Sequence, residues 1–309
     1  MSEWNRELLC KAPLPPVLEG MLKENRLVHA INLEGEPGSG RKTVAMAVAG
    51  TILCQKHGAR MCGECPVCRR VIQGVHPDIM ILDGKDGSYK KDSVRELRQD
   101  IYRSPTEGTA KILILSEAQN MTDAVQNLLL KAIEEPPPDT CIILTCENRT
   151  QLLGTIRSRV VTVPVRPMEQ KTCREWLAGE VPGMPEESYM RAALLSGGCP
   201  GRAKEILQDA GAEKLFSQAE TALKAMASGD SYHLLAVLAG YEKNRKDYQE
   251  FLGLLFRLLG SAEVREQCGL RLGRAMKCRA GVQRAIDRNE RFGYAALISA
   301  ALAEETKGS

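Results

Sequence analysis

Two stretches of this sequence carry residue types at spacings that could do chemistry. The first is residues 35–43, Gly-Glu-Pro-Gly-Ser-Gly-Arg-Lys-Thr. An apolar run at 30–33 precedes it, and a helix-like run at 44–53 follows it. A strand, a glycine-rich turn and a helix N-terminus make a phosphate cradle. The glycines let backbone N–H groups crowd toward an anion, and the helix start adds its positive dipole end. The working pattern is G-x-x-x-x-G-K-[ST], where Lys reaches the outer phosphates and the hydroxyl holds magnesium. Gly35 and Gly40 have that spacing, with Gly38 between them. Arg41 then fills the lysine slot, Lys42 fills the hydroxyl slot, and Thr43 comes one residue late. A cation cannot coordinate another cation. The loop is therefore expected to be a degenerate phosphate site in which ATP is not bound productively. A glycine turn with no ligand at all is the plain alternative.

The second stretch is Cys54 followed by Cys62-Gly-Glu-Cys65-Pro-Val-Cys68. Four thiols within 15 residues, three of them at C-x-x-C-x-x-C spacing, suit a tetrahedral zinc site. Gly63 allows the turn that lets consecutive thiolates converge on one ion. No position is left open for water, so the expected role is structural. A redox pair and an iron–sulfur cluster are the competing readings, the latter needing ligands from elsewhere in the fold. His57 could replace one ligand, although a solvent-facing loop histidine is the simpler reading. Cys10, Cys141, Cys146, Cys173, Cys199, Cys268 and Cys278 have no such grouping, and several sit in apolar runs as buried thiols.

These residues need elements to hold them. The chain has 309 residues, enough for two or three domains. Hydrophobic residues make up 43% and aromatics only 4%, which favours helices built from Leu, Ala and Val. The net charge of +3 gives no global basic field for strong non-specific nucleic-acid binding. No apolar run is long enough to span a membrane, and residues 1–11 carry acids and lack an apolar signal core. A cytoplasmic protein is expected, in which the eleven cysteines are thiols or metal ligands rather than disulfides.

Five short, nearly continuous apolar runs, at 30–33, 79–82, 112–115, 141–145 and 160–165, read as strands buried on both faces of a parallel sheet. Helical patterns lie between them. Residues 93–104 open with a capping box, Ser93 with Glu96. Residues 123–134 place Val125, Leu128, Leu129, Ala132 and Ile133 on one stripe, which Pro136–138 then ends. Beyond Pro167 the pattern is helical throughout: 168–178, 185–196 and 201–210 around Gly197-Gly198, then 214–227, 247–259 and 281–305. The expected fold is an α/β domain at 1–166 with the cysteine module at 54–68 inserted, a small helical domain at 167–211, and an all-α domain at 212–309. The stripe Phe251, Leu252, Leu255, Leu258 and Leu259 could be an interface or an intradomain core.

Further segments point to a family. His29-Ala30 leads into the first strand, and Gly74-Val75-His76-Pro77-Asp78 precedes the second. Residues 127–137 read Asn-Leu-Leu-Leu-Lys-Ala-Ile-Glu-Glu-Pro-Pro, and Ser158-Arg159-Val160 precedes the last strand. Together with the cysteine module, these resemble the delta-prime subunits of the bacterial DNA polymerase III clamp loader, within the AAA+ class. The resemblance is firm over 29 to about 165 and loose beyond.

The resemblance implies a AAA+ P-loop-type domain, a helical lid and a C-terminal collar that closes a ring of subunits. It also implies which parts of a hydrolysis site are missing. The third strand ends Ser116-Glu117 where the ATP-hydrolysing paralogue has Asp-Glu. The γ-phosphate-sensing threonine aligns with Cys146 or Glu147, and the phosphate-contacting arginine of the lid aligns with Gly201, beside Arg202. Phosphoryl transfer depends on positioned cations and metal, so these losses should compound.

What the resemblance leaves is Arg159, placed to enter a neighbouring subunit's nucleotide site as an arginine finger in trans, with Arg157 nearby and Ser158 capping or orienting it. The bland reading is a salt-bridged surface arginine. Lys131 is a DNA-contact candidate on a face otherwise read as solvated, and Lys85, Lys90 and Lys91 read as a charged loop. The implied function is a non-hydrolysing subunit that helps load the sliding clamp onto primed DNA. Its partners would be motor ATPase subunits, a delta-type wrench, the clamp indirectly, and primer–template DNA within the assembled complex, with no membrane. An active AAA+ motor subunit and a zinc-dependent nucleic-acid-binding module are the two alternatives.

Overall fold

In this computed structural model the described residues lie between 9 and 282, with 11, 13, 25–28, 57, 85–88, 90, 242–244 and most of 261–281 left out. His57, Lys85, Lys90, Cys268 and, save for Val282, the helical pattern at 281–305 therefore fall outside the described residues. The chain divides into two compact units, Met1–Pro167 and Met168–Ser309.

The first unit is built on a five-stranded sheet. The strands are β1 (Ala30–Glu34), β2 (Ile79–Asp83), β3 (Lys111–Ser116), β4 (Thr140–Cys146) and β5 (Val161–Pro164), in the order β2-β3-β4-β1-β5. Every pairing is parallel. β3 and β4 are buried along their whole length because helices cover both faces, which is why their sequences are apolar without alternation. Parallel pairing puts all five carboxyl ends on one edge, where ligands of open α/β sheets bind. There Gly35 donates its N–H to the Cys146 carbonyl, and Gly84 donates to that of Ser116.

One core face holds Ile31, Leu33, Ile112, Ile114 and Ile143 against Val44–Ala49 and the cysteine module. The other holds Leu113, Leu115, Ile142 and Leu144 against α5 (Asp123–Glu134) and α4 (Lys91–Asp100). α5 has the expected bounds. α4 begins two residues before the expected start, so Ser93 lies inside its first turn rather than at the cap, and it ends at Asp100. Ser104 precedes Pro105, whose ring disfavours helical backbone at 104; Leu97 and Ile101 nevertheless stay fully buried. Before the sheet comes α1 (Pro16–Lys23), whose Leu18 is buried. Between β4 and β5 a short helix, α6 (Gly154–Arg157), buries Ile156.

The second unit is helical: α7 (Gln170–Glu180), α8 (Glu186–Ser196), α9 (Pro200–Gln208), α10 (Ala210–Ser228), α11 (Ser231–Ala239) and α12 (Arg245–Gly260). α8 ends in a left-handed turn at Gly197 and Gly198, whose amides close back on the carbonyls of Leu194 and Ala193. Gly198 has no room for a side chain, since a Cβ would sit 2.1 Å from the Met168 carbonyl oxygen. Asp209 alone separates α9 from α10 and accepts the Gly211 N–H. The stripe of Phe251, Leu252, Leu255, Leu258 and Leu259 packs with Phe216, Leu223 and Met226 of α10, so within this unit it is core.

Candidate functional site

The glycine-rich turn sits between β1 and α2 (Arg41–Leu53). Gly38 (φ 76°) and Gly40 (φ 90°) take left-handed backbone that other residues resist, and Gly40 is the helix cap. A Cβ at Gly35 would fall 2.5 Å from the Val165 carbonyl oxygen and 2.9 Å from Ser39 Oγ. The phosphate-loop residues thus have the backbone course that the spacing predicted. Their side chains do something else.

Arg41 is only 5% exposed and turns onto Glu117 at the end of β3, donating from Nη2 to Oε1 (2.9 Å) and Oε2 (3.1 Å). Gln119 donates to the same carboxylate at 2.7 Å. Glu117 is itself held in a left-handed conformation (φ 54°), with its N–H on Thr145 Oγ1 at 3.1 Å. Lys42 reaches Asp83 at the end of β2, 2.5 Å from Oδ2. Both cations of the loop are therefore matched to acids on neighbouring strand ends. Thr43 is half-buried in the first turn of α2. Ser116 is buried with no partner for its hydroxyl, as are Ser39 Oγ and the second Arg41 amino group, Nη1.

Cys146, in the sensing position after β4, is buried, and burial pushes its thiol pKa up. Glu147 is exposed, and in the second unit Gly201 is the second residue of α9, beside half-buried Arg202.

The cysteine module occupies the connection from α2 to α3 (Pro66–Gln73). Cys54 caps the end of α2, and Cys65 caps the start of α3 with Pro66 in its first turn. The four Sγ atoms of Cys54, Cys62, Cys65 and Cys68 all lie within 4.8 Å of one another. Cys62 and Cys68 Sγ are 3.8 Å apart. Four sulfurs about 2.3 Å from one zinc would be about 3.8 Å apart, so the donor set fits a tetrahedral ion.

Backbone amides aim at the sulfurs. Cys65 N–H and Glu64 N–H point to Cys62 Sγ, Cys68 N–H to Cys65 Sγ, and Cys62 N–H to Cys54 Sγ. The amides of Glu64 and Cys65 draw the Cys62 thiol pKa down to about 6, favouring the thiolate. Burial pushes the Cys68 thiol well up. Gly63 (φ 70°) makes the knuckle turn. Met61 plugs the module into the core, its N–H on Thr51 Oγ1 and its sulfur against Gly50. Arg60 ties it to α1 through Glu19 and the Ala12 carbonyl. Bound zinc would supply cross-linking, not reaction chemistry.

Arg159 follows α6 and precedes β5. It is 41% exposed and pairs with Glu134 at 2.9 Å; its Nη1 donates to the Thr155 carbonyl and to Ser158 Oγ. Ser158 Oγ in turn donates to the Thr155 carbonyl at 3.0 Å, so Ser158 does contact the arginine it precedes. Lys131 is exposed on α5. Sequence reasoning missed Asp83, Gln119 and the pairing role of Glu134. Asp83 could have been found as the acid closing the second apolar run, but the other two partners carry no local signal. Among the described residues no helix is long and apolar enough to cross a membrane.

A family model described as DNA polymerase III, delta subunit, matches residues 11–169, just over half of the chain. The sequence is 32% identical over 213 residues to the DNA polymerase III subunit delta' of Escherichia coli, covering 68% of this chain and 64% of that one. It is 34% identical over 161 residues to the subunit delta' of Bacillus subtilis, covering 52% of this chain and 49% of that one. The chain therefore matches about half to two thirds of the length of these relatives. Among solved structures, it is similar to a DNA polymerase III gamma subunit-related protein of Thermotoga maritima at TM-score 0.43 and 18% identity, covering 93% of this chain and 98% of that one.

Proposed function

This chain belongs to the DNA polymerase III delta-prime subunit family, and from that premise we propose that it is a non-hydrolysing clamp-loader subunit that acts on a neighbour's nucleotide. The observation that carries the reading is the loop's own charge pairing. In a working loop the lysine faces phosphate, and the acids at the strand ends serve magnesium and water. Here Arg41 and Lys42 have taken Glu117 and Asp83 for themselves. Binding magnesium–ATP would require breaking the part-buried Arg41–Glu117 pair. Even then, Ser116 offers no carboxylate to the metal.

Arg159 is the group left over. Val161 of β5 pairs with Ile31 of β1 in parallel register, so Arg159 lies at the amino edge of the sheet. Gly35 lies past the carboxyl edge, about 20 Å away along the strand direction at roughly 3.3 Å per residue. The arginine thus cannot serve its own loop, and its exposure suits service to another subunit. In that role it would stabilise charge building on the transferring phosphate. The cysteine module would hold structural zinc through Cys54, Cys62, Cys65 and Cys68. Residues 1–166, 167–211 and 212–309 would act as AAA+ domain, lid and collar. The partners in this reading are motor ATPase subunits, a delta-type subunit, the clamp and primer–template DNA.

The test is a loader reconstituted with its ATPase subunits. Arg159→Ala should leave assembly intact and cut the clamp- and DNA-stimulated turnover of the adjacent site by about 10³–10⁵-fold, as for known arginine fingers. Unchanged turnover would refute the reading. So would brisk magnesium–ATP hydrolysis by the isolated chain, which would restore the active motor.

A further inference from the structure

We propose that Glu134 is a positioning residue for Arg159: its carboxylate holds the guanidinium in a pre-extended fork that a neighbour's phosphate can then engage. The inference rests on the finger reading above and adds a residue to it.

The geometry is specific. Arg159 is fixed from two directions. One is the carbonyl of Thr155 and the hydroxyl of Ser158, both reached by Nη1 at 3.1 and 3.2 Å. The other is Glu134 Oε1, reached by Nη2 at 2.9 Å. These contacts use at most three of the five guanidinium donors, so donors remain for a phosphate. A free arginine side chain samples many rotamers, and ordering it at the moment of docking opposes binding. Two anchors on separate elements, α5 and α6, remove much of that disorder beforehand. The pair is also half-exposed, at 41% and 49%, so solvent weakens it and the guanidinium can shift its charge toward phosphate.

Glu134 is otherwise badly placed. It is the last residue of α5 and Glu135 is the cap, so two acids sit at the negative end of the helix dipole. An isolated helix would favour Lys or Arg there, and Arg159 supplies that cation from across the fold.

Glu134→Ala removes the anchor, and Glu134→Gln keeps an oxygen acceptor while removing the charge. In the reconstituted loader, Glu134→Ala should lower kcat by about threefold to tenfold with KM for ATP unchanged, the signature of an interaction made in the transition state. Glu134→Gln should recover most of that loss, since orientation rather than charge is what Glu134 contributes. In an Arg159→Ala background, Glu134→Ala should have no further effect.

The inference is overturned if Glu134→Ala leaves kcat unchanged while Arg159→Ala impairs it, or if Glu134→Ala costs as much without Arg159 as with it. If Arg159→Ala itself is silent, the finger reading has failed, and Glu134 loses its role with it.

Discussion

The phosphate loop and the cysteine module lie in the same crossover between β1 and β2, and they treat their ligand-binding groups in opposite ways. In the loop every cationic side chain has found an acid of the same chain: Arg41 lies on Glu117 and Lys42 on Asp83. In the module, four sulfurs are gathered within 4.8 Å with amides aimed at them, and the Lys56 ammonium near Cys62 and Cys65 is bonded to Glu64 rather than to a sulfur. A site that has closed on itself needs no ligand to be stable. A site that gathers four thiols on one point is a donor set that a cation such as zinc would hold as thiolates. Lying in one crossover does not distinguish the two cases; the pairing of side chains does.

The largest test of this contrast is metal removal. The purified chain should carry one zinc, and chelation or Cys68→Ser should destabilise the first unit by more than about 4 kcal/mol, the range in which lost metals fall. Metal analysis and thermal unfolding check both. A chain that melts identically with and without chelator would erase the contrast.

Next comes Arg41→Ala. It leaves Glu117 and Gln119 without their cation in a partly buried site, at an expected cost of about 1–3 kcal/mol in denaturant unfolding. The same variant should not alter response to magnesium–ATP. A sharper version pairs Arg41→Lys with Lys42→Thr, which rebuilds the phosphate-binding pattern. Calorimetry should then detect magnesium–ATP binding that the parent lacks, still without turnover, because Ser116 remains.

A smaller effect concerns the segment after the module. His76 has its pKa lowered by burial first, opposed by Asp78 and Glu107 and assisted by Arg70. Its folded pKa lies below the unfolded value of about 6.5. The unfolded chain therefore takes up a proton that the native state refuses, so stability should fall as pH drops from 7 to 5. His76→Gln should flatten that slope in pH-dependent unfolding. Asp78 responds lower on the scale: burial raises its pKa, but N–H donors from Thr106, Glu107 and Gly108 together hold it below the usual carboxylate value. Its contribution persists until stronger acid.

The smallest effect should be Lys42→Ala. The Lys42–Asp83 pair is 39% and 42% exposed, and such pairs are worth at most about 1 kcal/mol. If this loss exceeded that of Arg41→Ala, the account of which pair closes the loop would be wrong.

Much of the fold was legible along the chain. Strands buried on both faces are continuous apolar runs, so their positions came within about two residues of the observed ones, and α5 matched because a one-sided stripe ran into Pro136. α3 and α11 were not legible. α3 is only eight residues long, too short for its buried stripe of Val67, Cys68 and Val71 to stand out beside the cysteine spacing. α11, Ser-Tyr-His-Leu-Leu-Ala-Val-Leu-Ala, is nearly apolar all round and shows little period.

The sequence by itself determined what depends on neighbours in the chain. The cysteine spacing set which four sulfurs gather, the glycines set the left-handed turns, and the Arg-Lys order put two cations where the phosphate-loop pattern has a lysine and a hydroxyl. Only the tertiary structure decided what those misfit cations do instead. Arg41 and Glu117 are 76 residues apart, and Arg159 meets Glu134 across two elements. Such pairs depend on where the sheet brings strand and helix ends together, and electrostatic attraction at 3 Å leaves no periodic trace in the residues between.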